Sequence, residues 1–294
     1  MLPLAGITVV SLEQAVAAPF ATRQLADLGA RVIKIERPDV GDFARGYDAA
    51  VRGLSSHYVW LNRSKESLTL DMKRAEARLV LHRLLEKADV FVQNLAPGAT
   101  ERLGFVTQEM RKKYPRLIIC NLSGYGSSGP YRDKKAYDML VQAETGLISI
   151  TGTPETPCKA GISAADIACG MYAYSGILTA LLVRSKTGEG VALETSLLDS
   201  LGEWMSAAAY YTFGGSAPPR SGANHATIAP YGPVTSGTTK SCISACRTSA
   251  NGKSFAKWFW RAPSSPRTPV LIPTRSACRI VRSSIAPWKK FSRN

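Results

Sequence analysis

The stretch Asp27-Leu-Gly-Ala-Arg-Val-Ile-Lys-Ile-Glu-Arg-Pro38 decides the fold of this chain. Gly29 suits the left-handed residue that ends a helix, and the apolar strand pattern of residues 32–35 follows at once. Pro38 cannot extend the hydrogen-bond ladder of a sheet, so the strand must stop before it. We therefore expect Arg37 at the carboxyl end of a buried strand, where open α/β sheets bind ligands.

Strand and helix patterns alternate on both sides of this stretch. We expect strands at 7–12, 32–36, 89–93, 116–121 and 191–195, and helices at 18–29, 74–87, 107–113, 137–148, 164–184 and 197–211. Short and mostly apolar strands are typical of parallel sheets that are covered on both faces. The rhythm predicts an α/β fold with a doubly wound, mostly parallel sheet. Helix 74–87 is predicted to bury Leu79, Leu81, Leu84 and Leu85.

The formal net charge of +15 is unevenly distributed along the chain. Residues 235–294 hold 12 of the 37 basic residues and none of the 22 acidic ones, so residues 1–234 carry a net charge of only +3. Because the basicity belongs to the tail, we predict no nucleic-acid partner for the fold. The sequence also suggests no membrane span, no secretory signal and no zinc site, and the six cysteines are expected to be reduced thiols of a cytoplasmic protein.

The tail from residue 235 onward differs in composition from the rest of the chain. Ser, Thr, Arg, Pro and Cys dominate it, and no helix or strand period is sustained. It could be a disordered basic arm, a small stapled module or an out-of-frame translation. Shifting the reading frame by one nucleotide, with suitable codons, gives a string with amphipathic spacing and balanced charge, which favours the frameshift.

Several motifs in the first 42 residues carry a family resemblance: Leu4-Ala-Gly-Ile-Thr-Val-Val10, Ala18-Pro-Phe-Ala21, the stretch 28–38 and Gly41-Asp42. They resemble the start of family III CoA-transferases, the formyl-CoA and carnitine CoA-transferase type, to which α-methylacyl-CoA racemase is related. The resemblance extends from about Leu4 to about Val234. It implies a Rossmann-like large domain for residues 1–200, a linker and the start of a small domain for 201–234, and an interlocked homodimer in a complete chain.

The segment Gly161-Ile-Ser-Ala-Ala-Asp-Ile-Ala-Cys-Gly170 holds the candidate nucleophile. From the residues alone, Asp166 could merely be an acid that caps the following helix. The resemblance implies instead that Asp166 is the catalytic nucleophile. Near a helix N-terminus we expect its carboxylate to stay ionised, and we expect free amides there to stabilise charge on an acyl adduct.

The resemblance also implies a site for CoA, which would act as substrate, with no metal and no tightly bound cofactor. Four basic residues would hold its phosphates, and eight further residues would line its nucleotide slot. The basic residues are Arg37, Lys73, Arg102 and Lys135, and the slot residues are Val16, Ala17, Leu70, Asp71, Met72, Asn94, Leu95 and Ala96.

Two other motifs bear on the function. Gly124-Tyr-Gly-Ser-Ser-Gly129 has the spacing of a dinucleotide fingerprint, but Pro130 follows where a helix should open, so we expect a loop near CoA. Tyr137-Asp138 lies where the racemase branch resembles His-Asp, and tyrosine is a poor base near neutral pH. Asp138 could orient the nucleophile or cap its own helix.

The function that the resemblance implies is transfer of CoA from an acyl-CoA to a small carboxylic acid, with a dicarboxylate such as succinate, itaconate or mesaconate as the expected acceptor. The enzyme would work through covalent intermediates on Asp166. Two alternatives stay open. One is a racemase-like enzyme, and the other is an inactive, truncated product of such a gene.

Overall fold

The computed structural model describes residues 1–228, 231–235, 241–245 and 279–282, and the chain divides into two compact units. The first unit comprises Met1–Leu147 and Lys159–Phe213, and the second comprises Ile148–Cys158 and Gly214–Asn294. The described strands are β1 (Thr8–Leu12), β2 (Arg31–Glu36), β3 (Lys65–Thr69), β4 (Val90–Gln93), β5 (Ile118–Ser123), β6 (Ala192–Ser196), β7 (Tyr231–Thr235), β8 (Ser241–Ala245) and β9 (Arg279–Arg282). The described α-helices are α1 (Ala17–Asp27), α2 (Ser56–Asn62), α3 (Ala75–Leu85), α4 (Ala99–Arg102), α5 (Thr107–Lys113), α6 (Asp138–Glu144), α7 (Leu147–Ile150), α8 (Ala164–Thr187), α9 (Leu197–Trp204) and α10 (Ser206–Thr212), and Phe43–Gly46 forms a 3₁₀ turn.

The first unit is built on a six-stranded sheet in the order β3-β2-β1-β4-β5-β6, and every neighbouring pair is parallel. In the centre, Val10 of β1 pairs with Ile33 of β2 on one side and with Phe91 of β4 on the other. This is the doubly wound order, in which the chain changes direction between β1 and β4. The predicted fold class is confirmed.

Both faces of the sheet are buried. On one face, Leu25 of α1 and Ile177 of α8 pack with Val9 and Val90 of the strands. On the other face, Leu81 of α3 and Met110 of α5 pack with Phe91 and Ile119. Apolar side chains on both sides explain why the central strands lack alternation in their sequence.

The stretch at 27–38 folds as its sequence predicts. Helix α1 ends at Asp27, and Gly29 adopts φ +97° just beyond it. Strand β2 begins at Arg31 and ends at Glu36, before Pro38. A Cβ on Gly29 would lie 2.5 Å from Leu2 Cβ, so both conformation and space require glycine here.

Asp89, at the amino end of β4, joins three distant parts of the first unit. Its carboxylate accepts a hydrogen bond from the Thr8 amide (2.8 Å), at the start of β1, and pairs with Arg184 Nη2 of α8 (2.8 Å). The Asp89 carbonyl also accepts hydrogen bonds from the Ile118 amide (3.0 Å) and from Arg184 Nη1 (3.3 Å). Asp89 thus links the amino edge of the sheet to the C-terminal part of α8.

The structure corrects several secondary-structure predictions. Strand β3 was not predicted, because this edge strand is polar and carries charges. The helix predicted at 137–148 is two helices with Gly146 at φ +82° between them, and the helix predicted at 197–211 is divided at Met205. Helix α3 buries Ala77, Leu81 and Leu85, whereas Leu79 is 61% exposed, so its predicted burial was wrong.

Helix α8 is long and apolar. Among the described residues it alone has the length and composition that would allow a membrane crossing, with a mean hydropathy of 1.4. Within the first unit it packs against α1, α6, α9 and strands β5 and β6. Ala168, Cys169 and Ile177 are fully buried there, so apolar composition is what its place in the core requires.

The second unit contains the antiparallel sheet β7-β8-β9. Arg220 donates hydrogen bonds to the carbonyls of Thr153 (2.9 Å) and Pro154 (2.7 Å). Of the tail predicted to be irregular, the described residues form β8 and β9, so that expectation does not hold for them. Residues 236–240, 246–278 and 283–294 lie outside the described residues.

Candidate active site

The loops beyond the carboxyl ends of the parallel strands carry the residues predicted to bind CoA. Val16 and Ala17, at the start of α1, follow β1. Arg37 lies in the loop after β2, and residues 70–73 lie in the loop after β3. Residues 94–96 follow β4, Arg102 closes α4, and Lys135 lies in the loop after β5. Twelve positions scattered over 120 residues of sequence therefore share one edge of the sheet, where doubly wound folds bind ligands.

Asn94 connects the two loops that flank the change of direction between β1 and β4. Its Oδ1 accepts a hydrogen bond from the Gln14 amide (2.9 Å), and its Nδ2 donates one to the Gln14 carbonyl (2.8 Å). Both polar atoms of the side chain are engaged by backbone. Asn94 therefore shapes the predicted slot by holding Gln14, which precedes Val16 by two residues.

The four predicted phosphate-binding residues are all exposed. The Arg37 guanidinium donates to the Gly41 carbonyl (3.2 Å), and that of Arg102 donates to the Pro97 carbonyl (3.3 Å). No ion pair involving Lys73 or Lys135 occurs within the described part of the chain. Four cations at one edge, without carboxylate partners there, suit a polyanionic ligand.

Asp166 is the third residue of α8 and is half-buried. One helical turn further on, α8 lies directly against α1, because a Cβ on Gly170 would be 2.6 Å from the Ala17 carbonyl oxygen. Residues four apart lie on the same side of a helix. The close contact at Gly170 therefore brings Asp166 to the α1 end of the edge, beside the predicted slot residue Ala17.

Asp138 binds the start of α8 from another helix. Its Oδ1 accepts hydrogen bonds from the amides of Ala165 (2.8 Å) and Asp166 (3.2 Å), while its Oδ2 accepts one from Gln142 Nε2 (2.6 Å). Gln142 Oε1 in turn accepts the Ala160 amide (2.8 Å). Of the two roles considered for Asp138, the structure supports orientation of the nucleophile segment.

The predicted free amides at the start of α8 are not found. Asp138 takes those of Ala165 and Asp166, the Ala164 amide donates to the Ile162 carbonyl (2.9 Å), and the Ile167 amide donates to the Ser163 carbonyl (2.9 Å). The expectation that this turn would stabilise an oxyanion was wrong. The alternative that Asp166 caps α8 is also wrong, since Ser163 is the N-cap and Asp138 supplies the acceptor.

The ionisation of Asp166 also differs from the prediction. Burial and the nearby Asp138 carboxylate raise the pKa of Asp166 to about 7. No hydrogen bond to the Asp166 carboxylate is formed by the described residues, so nothing offsets this rise. At neutral pH the group is therefore about equally protonated and ionised.

Tyr47 is a neighbour of Asp166 that sequence reasoning missed. Partial burial and the carboxylates of Asp42 and Asp166 raise the pKa of the Tyr47 phenol, which places its hydroxyl within electrostatic range of both. The phenol is 48% exposed. Tyr47 directly follows the 3₁₀ turn Phe43–Gly46, which begins after Asp42. The Gly41-Asp42 motif was therefore the signal in the sequence that could have pointed to it.

The arrangement can support covalent chemistry at the Asp166 carboxylate, and the exposed cations predicted to bind phosphate lie in loops of the same unit. Among the described residues, no group of three or more His, Cys, Asp or Glu side chains is placed to hold a metal ion. The Gly124–Gly129 segment is a loop and opens no helix, as predicted.

Comparison with known proteins gives consistent matches. The family model described as CoA-transferase family III matches residues 4–269, so the match continues beyond the predicted limit near Val234. The chain is 37% identical over 233 residues to a succinyl-CoA:glutarate CoA-transferase of Homo sapiens, covering 78% of this chain and 53% of that protein. It is 38% identical over 232 residues to an acetyl-CoA:oxalate CoA-transferase of Acetobacter aceti, covering 78% and 60%.

Among solved structures, a CAIB/BAIF family protein from Brucella suis superposes with a TM-score of 0.78 at 32% sequence identity. The match covers 88% of this chain and 70% of that chain. The chain thus spans little more than half the length of the curated relatives given above.

Proposed function

The chain belongs to CoA-transferase family III, and from this we propose that it transfers CoA from an acyl-CoA to a free dicarboxylate with Asp166 as the nucleophile. The relatives described above are named for glutarate and oxalate as acids. A small dicarboxylate such as succinate, glutarate or oxalate is accordingly the proposed acceptor.

The proposed binding mode uses the carboxyl edge of the sheet. Arg37, Lys73, Arg102 and Lys135 would attract the phosphates of CoA, because all four are exposed cations of that edge. The slot residues Val16, Ala17, Leu70–Lys73 and Asn94–Ala96 would hold the nucleotide. The thioester would then extend along the start of α1 towards Asp166, which lies beside it.

The proposed reaction has four exchanges at one carboxylate. An Asp166 oxygen attacks the thioester carbon, the C–S bond breaks, and an aspartyl anhydride and CoA thiolate result. The thiolate attacks the Asp166 carbonyl carbon of the anhydride and releases the donor acid, which leaves an aspartyl-CoA thioester. The acceptor carboxylate displaces the thiolate to form a second anhydride. The thiolate finally attacks the acceptor acyl carbon and restores the Asp166 carboxylate.

One observation supports this proposal: a Cβ on Gly170, one helical turn after Asp166 on α8, would lie only 2.6 Å from the Ala17 carbonyl oxygen at the start of α1. A carboxylate in that place can reach a thioester whose nucleotide lies in the adjoining loops. A raised pKa also suits a nucleophile, because a more basic carboxylate is the stronger attacking group.

The test exploits the tryptic fragment of residues 160–184, in which Asp166 is the single acidic residue. The protein is incubated with succinyl-CoA and glutarate, treated with hydroxylamine to trap anhydride or thioester, and digested. We expect glutaryl-CoA in solution and a hydroxamate on this fragment, identified by mass spectrometry. Asp166→Asn is the matched control and should give neither.

Product formation by the Asp166→Asn variant at the wild-type rate would contradict the assigned nucleophile. Absence of any new acyl-CoA from succinyl-CoA with glutarate or oxalate as the acceptor would contradict the activity. Exchange of an α-proton without acyl transfer would support the racemase alternative, for which Tyr137 offers a poor base.

The organisation of the whole protein is part of the proposal. Residues 1–200 are proposed as the CoA-binding domain, 201–234 as the connection to a smaller domain, and the complete protein as a homodimer of the cytoplasm. Exposed apolar residues of α8 and of the segment 206–213, such as Leu182, Tyr210 and Phe213, support an association surface.

A further inference from the structure

Four charged side chains are buried beneath the loops at the carboxyl ends of β1 and β2. They are Glu13, Lys34, Asp42 and Lys65, and their side chains are between 0 and 2% exposed. Lys34 Nζ lies 2.6 Å from Asp42 Oδ2, and Lys65 Nζ lies 2.6 Å from Glu13 Oε1. Two cations and two anions balance each other, so the cluster can be buried without an uncompensated charge.

Asp42 is the member of this cluster that also binds backbone. Its Oδ1 accepts hydrogen bonds from the amides of Ala15 (3.1 Å) and Ala44 (2.9 Å). The Ala15 amide belongs to the connection between β1 and α1, while the Ala44 amide belongs to the 3₁₀ turn after β2. A single carboxylate thus joins two loops that are 27 residues apart in sequence.

The first of these loops is strained. Ala15 adopts φ +62°, a left-handed conformation that a residue with a Cβ rarely takes unless its surroundings impose it. Asp42 holds the Ala15 amide, next to the two hydrogen bonds by which Asn94 holds Gln14. Val16, the N-cap of α1, follows directly, so the conformation of Ala15 sets the position of Val16 and Ala17.

The second loop carries a tyrosine that interacts electrostatically with the nucleophile. Asp42 is the N-cap of the 3₁₀ turn Phe43–Gly46, and Tyr47 comes immediately after that turn. The Tyr47 hydroxyl is in electrostatic range of Asp166. Asp42 thus joins the loop before the proposed nucleotide slot to the loop that carries Tyr47.

We propose that Asp42 is a positioning residue for the acyl-CoA site: by two backbone hydrogen bonds it fixes both the strained turn before Val16 and the turn that carries Tyr47. Lys34, held also by Asn62 Oδ1 (2.8 Å), anchors the Asp42 carboxylate from below. This inference rests on the proposed function, which places CoA along Val16 and the acyl group at Asp166.

The competing explanation is that Asp42 only stabilises the fold. Two double variants distinguish this explanation from the proposal. Lys34→Met with Asp42→Asn removes both buried charges but keeps an oxygen that can accept the two amides. Lys34→Met with Asp42→Leu removes the same charges, keeps the branching of the side chain at Cγ, and has no acceptor. Because the Glu13–Lys65 pair remains intact in both, neither variant leaves an unpaired buried charge.

The two variants are compared by CoA binding, by the KM and kcat for acyl-CoA, and by hydrogen exchange of the Ala15 and Ala44 amides. We expect the Asn variant to bind CoA within about threefold of the wild type. The Leu variant should bind it at least about tenfold more weakly, a change of about 1.4 kcal/mol. Its KM should rise more than its kcat falls, and the two amides should exchange faster only in this variant.

Equal CoA affinity and equal amide protection in the two variants, with wild-type binding intact, would overturn the inference alone. A wild-type chain that does not bind CoA would overturn the proposed function, and the amide exchange would still decide whether Asp42 fixes both turns. Equal loss of CoA binding in both variants would also contradict the role of the two hydrogen bonds.

Discussion

At the scale of single residues, the ionisation of Asp166 controls the chemistry. Only the carboxylate can attack a thioester, and the pKa of Asp166 is raised to about 7. A group with this pKa gains its charge as the pH rises from 6 to 8. We therefore expect kcat to increase over this interval and to level off above about pH 8, as measured by a pH profile of acyl-CoA formation. A kcat that does not change between pH 5 and 8 would contradict the raised pKa of Asp166.

Asp138 offers a way to move that profile. The repulsion between the Asp138 and Asp166 carboxylates contributes to the high pKa of Asp166. Asp138→Asn removes the charge and keeps an oxygen for the amides of Ala165 and Asp166, so the midpoint of the profile should move to lower pH. Asp138→Ala is the control: it removes charge and acceptor together, and we expect a lower midpoint accompanied by a loss of kcat of about tenfold or more.

Asp166 should also cost the fold some stability. Its pKa is about 7 when folded and close to the ordinary 3.8 when unfolded, so ionisation favours the unfolded chain as pH rises from 4 to 7. Asp166→Asn removes this penalty. We expect the variant to have a higher Tm than the wild type, with a larger difference at pH 8 than at pH 5, by thermal unfolding. An equal difference at both pH values would argue against the raised pKa.

At the scale of elements, the contact between α1 and α8 determines where the nucleophile lies. Gly170→Ala would place a Cβ 2.6 Å from the Ala17 carbonyl oxygen, and backbone cannot yield cheaply. We expect this change to separate the helices, to lower the free energy of unfolding by about 1–3 kcal/mol and to reduce kcat. Denaturant unfolding and steady-state kinetics would show both effects.

Gly176→Ala is the matched control in the same helix. Its Cβ would lie 3.6 Å from Leu193 Cδ1, which is an ordinary contact. Alanine favours a helix over glycine by about 1 kcal/mol, so this variant should be as stable as the wild type or more so, with unchanged kcat. Similar losses in both variants would refute the special role of the contact at Gly170.

Elements with strong local determinants could be predicted from the sequence, and those that depend on distant partners could not. Gly29 and Pro38 delimit β2 by their own backbone chemistry, and Gly188 at φ +78° closes α8 in the same way. Strand β3 could not be predicted, because an edge strand needs no apolar pattern. The capping of α8 could not be predicted either, because its acceptor, Asp138, belongs to another helix and lies 27 residues before Ala165 in the sequence.

The position of Asp166 was predictable as a candidate, but its properties were not. A carboxyl group near a helix N-terminus is ordinarily stabilised as an anion. Here Asp138 already occupies the amides that would provide that stabilisation. Which of two nearby carboxylates binds the helix depends on tertiary packing, and the sequence alone holds no measure of it.

At the scale of the whole molecule, a large ligand bound at the edge of the sheet should stabilise the first unit. Loops after five of its six strands carry proposed CoA-binding residues. Binding to the folded state alone adds about 2.7 kcal/mol when the free ligand is at 100 times its Kd. We expect CoA to raise the Tm by a few degrees, measured by calorimetry over a range of concentrations. Desulfo-CoA is a suitable control and should act similarly, because the thiol is not needed for binding.

Absence of any shift in Tm at millimolar CoA would contradict the proposed site. A shift of the same size with inorganic pyrophosphate alone would mean that the cations act without the nucleotide slot. Both outcomes are independent of catalysis, so this measurement tests binding even if the chain lacks activity.

The connections made by Asp89 also have a consequence for how the protein forms during synthesis. Its partners lie 81 residues earlier, at Thr8, and 95 residues later, at Arg184. The ribosome must therefore synthesise the chain at least as far as Arg184 before this junction can close. Until then the amino ends of β1 and β4 lack one of their shared anchors, and contacts between residues so far apart in sequence are expected to form slowly.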